Sequence, residues 1–125
     1  MEGDGHTLRG SAIPVLDRGF YDGPLVEAPS LTRTSTGKYV LFFSSNCFAG
    51  PLYDVSYAVA NSITGPYVKT GMPFAVTGTA GLYAPGGLTV AADGKSVVFH
   101  ASNGHGGRGM YAASISIDKN GLVTT

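Results

Sequence analysis

At 125 residues the chain has the length of one domain, large enough for a real core but at the small end. Eight basic and eight acidic residues cancel, and no Lys/Arg cluster occurs, so the electrostatic footprint of a nucleic-acid binder is missing. No apolar run approaches the roughly 20 residues that span a bilayer, which argues against a membrane partner, and the single Cys47 rules out an internal disulfide framework.

Charged residues make up only 13% of the chain, Gly is abundant at 19, and Tyr and Phe supply every aromatic ring. That balance favours strands over helices. The polar, acidic start Met1-Glu2-Gly3-Asp4 shows no signal-peptide core and reads as a truncation point. Residues 1–25 form a lead-in, with Met1 to Gly10 expected to fray. Within it, Ser11-Ala12-Ile13-Pro14-Val15-Leu16 predicts a short edge strand, where Pro14 is tolerated.

Two units follow, residues 26–78 and 79–125. The first runs through strands from Val26-Glu27-Ala28-Pro29-Ser30-Leu31 and Lys38-Tyr39-Val40-Leu41-Phe42-Phe43-Ser44. A long loop from Asn46 to Asp54 leads to Val55-Ser56-Tyr57-Ala58-Val59-Ala60, and a Thr64-Gly65-Pro66 turn leads to Tyr67-Val68-Lys69. The second repeats the order. Ala84-Pro85-Gly86-Gly87-Leu88-Thr89-Val90 is followed by an Asp93-Gly94 turn and Lys95-Ser96-Val97-Val98-Phe99-His100-Ala101. A Gly-rich loop then leads to Met110–Ile117, an Asn120-Gly121 turn and Leu122-Val123. Ala28, Pro29, Gly37, Lys38 and Tyr57 recur as Ala84, Pro85, Gly94, Lys95 and Tyr111, 54 to 57 positions later. Strand–turn–strand–loop–strand–turn–strand at this period marks an all-β, β-propeller-type chain of two four-stranded antiparallel blades. Ala28–Arg33 and Leu88–Val90 are expected innermost, and almost no helix is expected. Two blades leave two blade faces uncovered, since repeats of this kind need neighbours. With Val40, Phe42, Val97 and Phe99 assigned to the open flanks, either a homo-oligomer or missing upstream blades are expected to cover them.

Glu27 is the leading candidate for chemistry, being a carboxylate at the mouth of an inner strand; the plain alternative is a solvated strand-end charge. The run Val26-Glu27-Ala28-Pro29-Ser30-Leu31, the following Gly37-Lys38-Tyr39-Val40-Leu41-Phe42-Phe43-Ser44, and Tyr57-Ala58-Val59-Ala60 before Thr64-Gly65-Pro66-Tyr67 resemble glycoside hydrolase family 43. So do Asp93-Gly94-Lys95, Val98-Phe99-His100-Ala101 and Arg108-Gly109-Met110-Tyr111, which are similar to the family's closing blade. The resemblance covers Ser11 to Val123 and implies the C-terminal blades of a five-bladed propeller that trims arabinan or xylan. It implies an inverting mechanism with Glu27 as general acid, partly buried so that it stays protonated, and a base some 6.5–9.5 Å away. It also implies an extracellular setting and an oligo- or polysaccharide partner. The two Asp residues of the family's mechanism have no match: Asp4, Asp17, Asp22 and Asp54 lie in loops or the lead-in. Asp54 or a neighbouring chain's carboxylate is the first substitute to consider for the base. Gly87 stands where many members carry a channel-facing His that helps bind a metal or water, so no metal and no cofactor are expected.

Among other residues, Phe48 and Tyr53 in the long loop are candidates for a sugar-stacking platform, local packing being the plain alternative. Arg108 is a candidate at the channel rim, set against a solvated loop charge. His100 is expected to be a packing residue, and His6 and His105 loop residues. Gly104-His105-Gly106-Gly107-Arg108-Gly109 precedes a strand, not a helix, which argues against a nucleotide loop. Ser44, Ser45 and Cys47 show no nucleophile elbow. Two functions remain: a glycoside hydrolase fragment that keeps its acid and lacks its base, or a non-catalytic carbohydrate-binding or scaffold β-module.

Overall fold

A computed structural model of the chain describes residues 3–125. Met1 and Glu2, the start of the lead-in expected to fray, lie outside the described residues. No α-helix occurs among the described residues, only two single 3-10 turns at Phe20–Asp22 and Thr79–Gly81. The first sheet contains β1 (Val26–Arg33), β2 (Tyr39–Ser45), β3 (Asp54–Ala60) and β4 (Val68–Lys69), antiparallel and in sequence order. The second contains β5 (Gly86–Val90), β6 (Ser96–Ser102) and β7 (Arg108–Ser114). A separate ribbon pairs β8 (Ser116–Ile117) with β9 (Val123–Thr124).

The chain is therefore an all-β partial propeller, with one local difference from the expected second blade. Met110–Ile117 is not one strand. The β6–β7 pairing ends at Ile115, whose N–H makes the last rung to the Lys95 carbonyl at 2.9 Å and whose side chain turns into the core at 6% exposure. The fourth strand then pairs with the short continuation beyond that break. The edge strand expected over residues 11–16 is also absent. Pro14 removes a donor there, and the segment is mostly exposed without ladder partners.

The two sheets pack face to face, and the residues expected on open flanks fill that interface instead. Val40 and Phe42 are fully buried, Val97 is 1% exposed and Phe99 6%, packed with Val55, Tyr57, Leu88, Val90 and Val123. Side chains alternate across a strand, so the opposite face of β2 carries Leu41 and Phe43. That face meets the lead-in through Val15 and Leu16, and the Lys69 ammonium lies 5.5 Å from the Phe43 ring centroid. The Lys69 stem is tied down by its ion pair with the buried Asp22 carboxylate and by a 2.7 Å bond to the Asp17 carbonyl.

Both inner strands enter through the same device. Ala28 and Ala84 adopt left-handed φ of +54° and +49°, each just before a proline. The ladders slip between Glu27 and Ser30 in β1 and between Gly86 and Thr89 in β5. Such a conformation is costly for alanine. Because it recurs at Ala84 with no carboxylate beside it, it belongs to blade entry and not to one site. Backbone donors of β5 are accepted by serines of the first blade: Gly87 N–H, within the slip, donates to Ser44 Oγ at 2.9 Å, and Val90 N–H, beyond it, to Ser30 Oγ at 3.0 Å. These bonds tie the two blades together.

Candidate functional site

The bulge at Ala28-Pro29 sits directly after Glu27, so the strand's irregularity aims that carboxylate away from the ladder. Glu27 is opposite Ser44 in the β1–β2 pairing, and Val26 is opposite Ser45, which in turn is opposite Asp54. Glu27 and Ser44 therefore share one face of the sheet, the one turned toward β5. Asp54 shares the other. The side chain of Glu27 is exposed. The enclosure expected around it is not supplied by these two blades.

Tyr53 lies close to both Ser44 and Glu27. Burial pushes its phenol up from the ordinary tyrosine range, Ser44 pulls the other way, and the negative charge of Glu27 pushes it further up. Ser44 is itself fixed across the blades, since its Oγ accepts the Gly87 N–H at 2.9 Å.

The placement corrects the expectation of a stacking platform at Tyr53. The ring is 3% exposed. His100 stacks on it with centroids 6.2 Å apart and planes 27° apart, and the Arg108 guanidinium lies 5.4 Å from its centroid. No face is left for a sugar. Close approach of the backbone makes this possible: a Cβ on Gly86 would sit 1.9 Å from the Tyr53 ring. Phe48, by contrast, is 60% exposed and lines a groove of about 230 Å³ with Tyr83 and Arg108.

Arg108 is not a solvated loop charge. It donates through Nε to His100 Nδ1 and through one terminal nitrogen, Nη2, to the carbonyls of both Ala84 and His100. A donor on Nδ1 leaves the ring proton on Nε2 in the neutral tautomer. Burial holds His100 below its ordinary value, the Arg108 charge adds to this, and Glu27 opposes it. The imidazole also fills the space beside Gly87, whose φ is +63°: a Cβ there would meet His100 Nε2 at 2.3 Å. A side chain at position 87 and this imidazole are mutually exclusive. Among the described residues no three His, Cys, Asp or Glu converge, and the donors around Glu27 do not fit a metal ion.

Asp54 does not complement Glu27. It accepts bonds from the Ser45 N–H at 3.0 Å and the Ser45 hydroxyl at 2.7 Å, and lines a cavity with Asp22, Phe20 and Phe43 on the opposite face. Burial raises its carboxyl above the ordinary range, the serine bonds lower it, and Asp22 adds to the rise. His105 belongs to a tight turn in which Asn103 Oδ1 accepts the N–H groups of His105 and Gly107, which is not a phosphate cradle. His6 lies 3.6 Å from Asp4 in the lead-in, exposed.

Sequence reasoning brought Glu27 and Arg108 to one end of the blades but missed that His100, Tyr53 and Ser44 connect them. The available signal was the pair Gly86-Gly87, two consecutive glycines opening a strand, which marks close backbone approach.

No family model matches the chain, nor does any curated protein at a significant score. Solved structures do. One described as a thermostable family-43 glycoside hydrolase superposes with a TM-score of 0.82 at 27% identity, over 98% of this chain and 44% of that one. A family-43 endo-arabinanase from Bacillus licheniformis gives a TM-score of 0.74 at 26% identity over 94% and 44%. An endo-1,4-beta-xylanase from Bacteroides thetaiotaomicron gives 0.72 at 26% over 88% and 42%. The chain spans less than half the length of each.

Proposed function

We propose that this partial propeller, similar to family-43 glycoside hydrolases, carries the general acid of a site that hydrolyses arabinose- or xylose-containing polysaccharide with inversion. Glu27 is the acid, Tyr53 positions it, and Arg108 with the neutral His100 holds Tyr53 in place. The observation that supports this reading is the exposed Glu27 carboxylate at the start of β1, set just before the register slip and beside the buried Tyr53. An acid must be open to the leaving oxygen, and this position provides that.

The reaction needs a second carboxylate to activate water, and Glu27 is the one carboxylate of the cluster. The base comes from outside this face, either from blades preceding this pair in a longer protein or from a second copy. A homo-oligomer would also cover Leu31, Val98 and Met110, exposed by 41%, 44% and 73%. Phe48 and Arg108 line the groove proposed to hold the saccharide. A polymeric substrate fits an extracellular setting.

The test is hydrolysis of arabino- and xylo-oligosaccharides by the purified chain and its Glu27→Gln variant. General-acid help is worth about 10²–10⁴ in rate, so without a base the chain is expected to be nearly inactive, and the variant to release nothing measurable. Robust hydrolysis that survives Glu27→Gln contradicts the assignment. Tight saccharide binding unaffected by Glu27→Gln, without turnover at any protein concentration, supports the non-catalytic carbohydrate-binding module instead.

A further inference from the structure

We infer that the cleft at the far end of the blades from Glu27 is a second saccharide site, selective for a monoanionic sugar such as a hexuronate. β1 runs from Glu27 to Arg33, about 20 Å of strand, and Arg33 forms one wall of a cleft of about 570 Å³ between the two blades. Lys95, from the first hairpin of the second blade, lines it too, as do Asp93, Ser35, Ser114 and Ser116. None of this overlaps the Glu27 cluster, and the inference does not rest on its proposed function.

The charges select the ligand class. Arg33 and Lys95 face the cleft with a single carboxylate, Asp93, so one positive charge is in excess. Among the described residues neither cation forms an ion pair; the Arg33 guanidinium is held 5.5 Å over the Tyr39 ring and keeps its donors for a ligand. A planar guanidinium suits a carboxylate's two oxygens. The hydroxyls of Ser35, Ser114 and Ser116 make no hydrogen bond among the described residues, which leaves donors and acceptors for sugar hydroxyls around the anion.

The test is a titration of the isotope-labelled chain with sodium glucuronate, glucose and inorganic phosphate at constant ionic strength, read by amide chemical shifts. Glucuronate is expected to give saturable shifts at Thr34, Ser35, Gly94, Lys95 and Ser116. Arg33→Gln and Lys95→Gln, both at exposed positions, are expected to weaken it roughly tenfold each, the size of one charge-assisted contact. No shifts at the cleft, or glucose binding as well as glucuronate, overturns the inference. Phosphate binding with equal affinity and the same shifts also overturns it, since the cleft is then a general anion patch. Failure at this cleft leaves the reading of Glu27 untouched, because the two sites share no residue.

Discussion

At His100 the partial burial of the ring and the Arg108 charge favour the neutral form, and Glu27 opposes them. Glu27→Gln removes the opposing charge, so His100 is expected to titrate lower than in the parent. Arg108→Gln removes a repelling charge and is expected to raise it. NMR titration of the imidazole signals in both variants checks this, and a parent-like midpoint in Glu27→Gln would place the carboxylate out of reach of the ring. Because the folded value lies below the unfolded one near 6.5, the unfolded chain binds more protons in this window. Stability contributed by the neutral ring is complete above the unfolded value and is lost as pH falls from there through the folded value. Gly86 offers a second check at the same scale. Gly86→Ala drives a methyl into the Tyr53 ring, and overpacking of this kind is expected to cost about 1–3 kcal/mol in a denaturant melt. An unchanged melt would mean that the ring does not sit against that backbone. Of these contacts the sequence signals only a close backbone approach, through Gly86-Gly87, and not its partners. Tyr53 reads as a loop aromatic, and only folding brings it under a glycine some 30 positions away.

Among the elements, β2 shows why the strands were legible and their faces were not. Tyr39-Val40-Leu41-Phe42-Phe43 is apolar on both faces, so its composition marks a strand buried on two sides without saying which side meets the second blade. The structure turns Val40 and Phe42 inward to Val97 and Phe99, and leaves Leu41 and Phe43 to the lead-in. The hairpins and the Ala-Pro repeat were legible because turn chemistry and proline are local. The break at Ile115 was not, since it depends on the burial of that side chain in a core assembled from distant strands. In β1, Thr32 carries a hydroxyl at 5% residue exposure with no partner. Leaving such a group buried costs about 1–3 kcal/mol, so Thr32→Val is expected to leave the melting temperature unchanged or raise it. A clear loss of stability would show that the hydroxyl is satisfied in solution.

For the whole molecule, two blades make a core between them and leave their outer faces to something else. Light scattering across a concentration series is expected to show association, with Leu31 and Met110 in the contact. A strictly monomeric chain at high concentration would put the covering surface on other blades. The central claim is a saccharide site at the mouth of the inner strands, where Glu27 lies beside Tyr53, whose ring packs against His100 and Arg108. Its most direct test is an amide chemical-shift titration with arabino- and xylo-oligosaccharides. The expected result is saturable shifts at Glu27, Tyr53, Gly87, His100 and Arg108 that weaken in Glu27→Gln. Shifts confined to other parts of the chain, or none at all, would contradict it.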